Sequence, residues 1–209
     1  MAPRRSESGI RLRGAKGRTV GNRQPTPVIL IVCEGEKTEP NYFGGFPVPK
    51  QIREIHGLGM DPLCLVQEAR KLQQQYKRQN GFDYGQVWCV FDRDEFPLDR
   101  LRQALQLANA NGFQIAYSNP SFELWYLLHF RYSDRPMTRY ECCSELGDWL
   151  KSTYEKSQKL YMKIEANQAD AIKHATRLLA QYAPPDPAND NPSTTVHLLV
   201  QEINRYVRP

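Results

Sequence analysis

Val28-Ile29-Leu30-Ile31-Val32-Cys33-Glu34-Gly35-Glu36-Lys37-Thr38-Glu39 is the stretch on which the reading of this chain turns. Its counterpart is Val87-Trp88-Cys89-Val90-Phe91-Asp92-Arg93-Asp94-Glu95. Each opens with a short, β-branched apolar run lacking polar alternation, the pattern of a parallel strand buried on both faces. Each run stops abruptly in carboxylates. Ligands of open α/β sheets bind in the crevice beyond the carboxyl ends of the strands, so Glu34, Asp92 and Asp94 converge there if the two strands are neighbours. Clustered oxygen donors suit a hard cation such as Mg²⁺ or Mn²⁺, not zinc. The spacing of two in Asp92-Arg93-Asp94 puts both carboxylates on one side of a chain that stays extended. The plainer alternative, that acids after a strand serve the start of the next helix, accounts better for one strand than for two. Gly35 suits a close backbone turn at such a site.

Working outward, Thr38 to Phe43 is expected to start a helix, with Thr38 as N-cap and Gly44-Gly45 and Pro47 ending it. Gln51 to His56 alternates as a strand does. Asp61-Pro62 is an N-cap followed by a first-turn proline, and Leu65, Ala69, Leu72 and Tyr76 carry an apolar stripe as far as the stop at Gly81. Gln86 to Phe91 forms the third strand. Pro97 opens a helix with Leu98, Leu101, Leu105 and Ala108 on its buried face and Gly112 past its end, and Phe113 to Tyr117 is the fourth strand. Strand and helix alternating at this spacing predict right-handed crossovers and a parallel sheet. Asn119-Pro120 leads a short apolar helix over 121–130, with Trp125 and Tyr126 in the core. Glu123 lies in its first turn, where a carboxylate favours the helix dipole without any metal, yet it follows the fourth strand on the acids' own edge of the sheet.

From Arg131 onward no further strand is expected. Thr138-Arg139-Tyr140-Glu141 reads as a capping box, continued by Cys142, Leu146, Trp149 and Thr153. Residues 154–163, basic through Lys156, Lys159 and Lys163 just after Lys151, read either as a solvated helix face or as a group that holds a scissile phosphate. A helix over 166–182, a proline-rich loop over 184–192 and a closing helix over 193–207 complete the chain, the last burying Val196, Leu199, Val200 and Ile203.

The strings Cys33-Glu34-Gly35-Glu36-Lys37-Thr38-Glu39, Ser118-Asn119-Pro120-Ser121-Phe122-Glu123-Leu124-Trp125 and Asn191-Pro192-Ser193-Thr194-Thr195-Val196 resemble the RloB-like proteins of bacterial restriction and phage-defence loci. Glu34 with Asp92/Asp94 matches the wider TOPRIM signature of topoisomerases, primases and OLD-type nucleases. The resemblance implies a TOPRIM-like α/β fold, a mainly parallel four-stranded sheet flanked by helices with a helical C-terminal extension. It divides the chain into a basic tail (1–26), a catalytic domain (27–130) and the extension (131–209). It also implies a Mg²⁺- or Mn²⁺-dependent endonuclease in anti-phage defence, encoded beside an ABC- or SMC-type ATPase. Glu34, Asp92 and Asp94 would hold the metal, Glu34 serving alternatively as general base. The family strings favour Glu123 as an additional acid and Lys156, within Tyr154-Glu155-Lys156, as the functional lysine.

Composition adds exclusions and one rival. Of the formal net charge of +5, residues 1–27 hold +6, from seven arginines and lysines against Glu7 alone, which leaves −1 for the rest. This tail, rich in Arg, Gly and Ser, is expected to be disordered and reads either as a non-specific nucleic-acid arm or as a solvated segment. No apolar run approaches the roughly 20 residues a bilayer needs, and the start of the chain is polar, so a cytoplasmic protein is expected. Five cysteines without a Cys-x-x-Cys spacing read as reduced. The 209 residues hold neither a P-loop nor a Gly-x-Gly-x-x-Gly, so ATP hydrolysis by this chain alone is not expected. The substrate class is DNA or RNA, tRNA included, and a homodimer is compatible with the sequence. The alternative reading is a non-catalytic subunit that binds nucleic acid or a partner ATPase. A strand-passing topoisomerase would need a nucleophilic tyrosine on a further domain.

Overall fold

The residues of the first strand alternate between two cores. In a computed structural model that describes residues 27–93 and 96–207, β1 (Ile29–Cys33) sends Ile29, Ile31 and Cys33 to one face and Leu30 and Val32 to the other, all of them buried. β3 (Gln86–Asp92) does the same with Trp88 and Val90 against Val87, Cys89 and Phe91. A strand so placed needs apolar residues at every position, the physical reason for the unalternating runs. Asp94 and the basic segment 1–26 lie outside the described residues, as do the expectations that rest on them.

β1 sits between β2 (Arg53–Gly57) and β3, and β3 between β1 and β4 (Gln114–Asn119), all parallel. Ile29 pairs with Gln86 and Cys33 with Val90, so β1 and β3 are in fact neighbours and Glu34 and Asp92 leave the same edge. The sheet has five strands, not four. β5 (Ser193–Thr194) pairs antiparallel to β4 through Ser118–Thr194 and Asn119–Ser193. Two residues are too few to carry a periodic signal, and pairing alone makes them a strand.

One face carries α2 (Pro62–Asn80) and α3 (Leu98–Ala110). Asp61 caps α2 by accepting from the Leu63 and Cys64 N–H groups, and Gly81 ends it at φ 77°, in the left-handed region that glycine adopts without strain. Pro97 occupies the position before α3 rather than its first turn, and Leu98 is 36% exposed, so Leu101, Ala104 and Ala108 form the buried stripe. The other face carries α1 (Thr38–Gly44), α4 (Glu123–Leu127), α5 (Arg139–Leu150), α6 (Tyr161–Ile164), α7 (Gln168–Leu179) and α8 (Val196–Asn204). Trp125 and Tyr126 are fully buried there beside Tyr42, Phe122 and Leu146. Residues on both sides of position 130 share this layer.

Three local expectations are corrected. Lys37, not Thr38, holds the N-cap position of α1, and the Thr38 hydroxyl instead donates to the Lys156 carbonyl at 3.5 Å. α4 spans five residues rather than ten. The basic stretch 154–163 is mostly loop, helical only from Tyr161, so Lys156 and Lys159 share no helix face. The capping box of α5 forms as read, although Trp149 is half exposed and Thr153 falls beyond the helix. All five cysteines are free thiols, and no helix among the described residues is long and apolar enough to cross a membrane.

Candidate metal-binding site

Beyond the carboxyl ends of β1 and β3 lies a cavity of about 420 Å³. Glu34, Glu36, Glu39, Asp61, Asp92 and Glu123 line it, against Lys37, Arg139 and Lys156. Each acid arrives by a separate piece of backbone. Glu34 follows β1 directly; its N–H donates to the Val90 carbonyl, and its Oε2 accepts from the Asp92 N–H at 3.1 Å. Asp92 closes β3 and is 4% exposed. Glu39 lies in the first turn of α1, and Glu123 opens α4 at 1% exposure.

Specific donors hold these groups. Asp92 Oδ2 accepts from Arg139 Nη2 at 3.2 Å, while its buried Oδ1 has no hydrogen-bond partner among the described residues. Glu123 accepts from the Ser121 hydroxyl at 2.7 Å and from the Tyr154 hydroxyl at 3.1 Å. Glu39 Oε1 accepts from the Gly35 N–H at 3.2 Å. A Cβ on Gly35 would stand 2.2 Å from Glu39 Oε2, so any larger residue there displaces that carboxylate. Asp61 is occupied differently: besides capping α2 it pairs with Arg100 at 2.8 Å, and its bonds to Cys64 and Arg100 hold its carboxyl below the usual carboxylate range despite partial burial.

Burial and mutual repulsion work against the charged forms of Asp92 and Glu39. Asp92 is held well above the usual carboxylate range, first by desolvation and then by Glu39, Glu123 and Glu34, with Arg139 pulling the other way. Glu39 is raised by desolvation and by Glu123, against backbone hydrogen bonds and Lys156. Buried carboxylates that repel one another are stabilised by a cation at their centre. Hard oxygen donors and the orphaned Asp92 Oδ1 fit Mg²⁺ or Mn²⁺. Among the described residues no three carboxylate, imidazole or thiolate groups stand at metal-ligand spacing, and Asp94, the third expected ligand, lies outside them.

Of the residues singled out in the sequence, Glu34, Asp92, Glu123 and Lys156 meet at one cavity. Lys156 reaches it on a loop held by the Thr38 hydroxyl and, one residue on, by Asn41 Nδ2, which donates to the Ser157 carbonyl at 3.2 Å. Glu39, Arg139 and Tyr154 were not singled out. Glu39 stands inside the first quoted string, but a first-turn carboxylate has a sufficient explanation in the helix dipole. Nothing in the sequence marks Arg139 or Tyr154, since each depends on a contact across the fold.

A family model described as RloB-like protein matches residues 29–203. No curated protein and no solved structure matches the chain.

Proposed function

The chain belongs to the RloB-like family, and we propose that it is a divalent-metal-dependent nuclease of the TOPRIM type, the effector of an anti-phage defence system that works with an ABC- or SMC-type ATPase. The observation that carries the reading is the buried carboxylate cluster at the ends of adjacent parallel strands, with Asp92 Oδ1 lacking a partner. Glu34 and Asp92 would hold Mg²⁺ or Mn²⁺, with Asp94 as the third ligand read from the sequence. Held there, such an ion would supply positive charge to a phosphoryl oxygen and lower the pKa of water.

The chain's own residues account for the remaining work. Gly35 N–H fixes the Glu39 carboxylate, whose raised proton affinity suits proton transfer to or from an attacking or leaving oxygen. Ser121 and Tyr154 fix Glu123 opposite it. Lys156 and Arg139 bring positive charge to the rim, where phosphate charge develops during transfer. Phe122 and Phe96 give the cavity an apolar lining beside these charged groups.

Cleavage of RNA, tRNA and DNA substrates in Mn²⁺ tests the reading. Asp92→Ala is expected to abolish cleavage with the fold retained by circular dichroism, and a fully active Asp92→Ala protein sinks the assignment. The second reading, motivated by a sequence without a nucleotide-binding motif, is a non-catalytic subunit that binds nucleic acid or an ATPase. Calorimetry separates the two: Mn²⁺ binding that Asp92→Ala removes supports the nuclease, and a wild type that binds none, with nucleic acid present or absent, supports the subunit.

A further inference from the structure

The side of α5 that turns away from the core forms one wall of a groove. Tyr140, Cys143, Ser144, Gly147 and Asp148 recur at steps of three and four, so they share a helix face, while Cys142 and Leu146 are buried on the other. Lys151 ends α5 in the left-handed region at φ 52°, and the Ser152 N–H donates to the Gly147 carbonyl at 3.1 Å, which turns the chain back along the helix. Gly147 leaves room for that return, since a Cβ there would stand 3.2 Å from the Ser152 carbonyl oxygen. Between helix and returning chain lies a cavity of about 520 Å³, in the range of pockets that hold small ligands.

This groove borders the candidate metal site. Tyr154 lines it and donates its hydroxyl to Glu123 Oε1 at 3.1 Å, and Arg139, next to Tyr140 in the chain, lines the acidic cavity. Burial first, and then the Glu123 carboxylate, pushes the Cys143 thiol up to about 11, so the groove presents an uncharged sulfur. Asp148 and Lys151 are its two charged lining residues, of opposite sign. The Ser144, Ser152 and Thr153 hydroxyls have no hydrogen-bond partner among the described residues. A groove without net charge suits a nucleobase, which pairs an uncharged aromatic face with an edge of donors and acceptors, better than it suits a phosphate. Tyr140 offers the face to match: at 81% exposure it is the most exposed large apolar side chain among the described residues. Rings placed this way beside a strand-cleaving site stack successive bases irrespective of sequence.

We propose that this groove is a base-binding subsite, in which Tyr140 stacks an unpaired base of the nucleic-acid strand whose scissile phosphate lies at the acidic cavity. The proposal rests on the metal-dependent reading of that cavity and narrows its substrate to a single-stranded segment. Tyr154 joins the two sites, lining the groove while its hydroxyl holds Glu123.

Fluorescence anisotropy of a labelled single-stranded oligonucleotide, with Ca²⁺ present and salt varied, tests it on the full chain. Tyr140→Ala is expected to weaken binding about tenfold, toward the lower end for loss of one base stack, with the salt slope unchanged because no phosphate contact is lost. Tyr140→Trp keeps a ring and is expected to retain the affinity. Met162→Ala, which removes another exposed apolar side chain outside the groove, is expected to change nothing. An abasic site scanned along the oligonucleotide is expected to cost the wild type about tenfold at one position and to cost Tyr140→Ala nothing further there, the coupling that a direct stack requires. Should Tyr140→Ala fail to fold, Ser144→Leu, which fills the groove, is expected to weaken binding likewise. A wild type that binds no oligonucleotide overturns the subsite, and so does a folded Tyr140→Ala protein with wild-type affinity. Abasic costs that simply add to the Tyr140→Ala loss at every position overturn it as well. Mn²⁺ calorimetry keeps the two readings apart. A wild type that binds no metal while the Tyr140 and abasic effects persist defeats the metal reading and leaves the base subsite, and intact metal binding with no Tyr140 effect defeats the subsite alone.

Discussion

Asp92→Asn is expected to make the metal-free protein more stable and the metal-bound state unattainable. Asp92 is 4% exposed, faces Glu34, Glu39 and Glu123, and accepts from the Arg139 guanidinium at 3.2 Å. Because its folded proton affinity is raised, the unfolded chain releases this proton at lower pH than the native one. Stability then falls as pH rises from the ordinary carboxylate value through the raised native one, and the full cost is present above both. Asparagine removes that cost and keeps the shape, while it loses the pairing to a guanidinium that is one-third exposed and therefore partly screened. Each tenfold rise in native proton affinity costs about 1.4 kcal/mol above both pKa values, so with the screened pairing subtracted a net gain on the order of 2 kcal/mol is expected, a rise of about 5 °C in Tm for a chain of this size. Thermal melts in EDTA provide the assay, with the gap between variant and wild type wide at about pH 8 and small at about pH 5. Mn²⁺ at one hundred times its Kd adds about 2.7 kcal/mol to the wild type and nothing to the variant. A variant less stable than wild type in EDTA at about pH 8, or a gap independent of pH, refutes the electrostatic account.

Gly35→Ala forces the Glu39 carboxylate back by about 1.2 Å to reach ordinary van der Waals separation; a misplacement of this size is expected to lower the initial cleavage rate about 100-fold, with Mn²⁺ affinity within about threefold. Tyr154→Phe removes one of two hydroxyl donors to a buried carboxylate and is expected to destabilise by about 1–3 kcal/mol in urea melts. Leu124→Ala, at a fully buried position of α4, is expected to cost about 2–5 kcal/mol, whereas Leu98→Ala on the exposed side of α3 costs under about 0.5 kcal/mol.

The central strands and their acidic ends were legible because burial on both faces leaves a signature at every residue, as in Ile29 to Cys33, whereas the adjacency of β1 and β3 was only a condition of the sequence reading, met by the long-range pairing of Ile29 with Gln86. β5 was not legible, since Ser193 and Thr194 become a strand only through Ser118 and Asn119. Lys156 was reached through family strings and not through periodicity, because the backbone there is a loop pinned by Thr38. The N-cap read at Thr38 failed for the same reason: the hydroxyl had a partner far along the chain. Glu39 and Arg139 were overlooked since a sufficient local role, first-turn charge and helix start, concealed a distant one.

The apolar layer under α4 has a consequence for dissection of the chain. Ile29 and Ile31 from one end and Leu199, Val200 and Ile203 from the other belong to one packed cluster. A cut near residue 130 therefore does not separate a catalytic unit from an accessory; it leaves one fragment with a bare sheet face and the other with helices that have nothing to pack on. The two pieces are obligate complements, and co-expressed halves should regain a cavity that neither builds alone. That makes the loop over 131–137 a place to divide the protein into a two-part reporter, whose signal reads reassembly through the carboxylates of one half and Arg139 and Lys156 of the other.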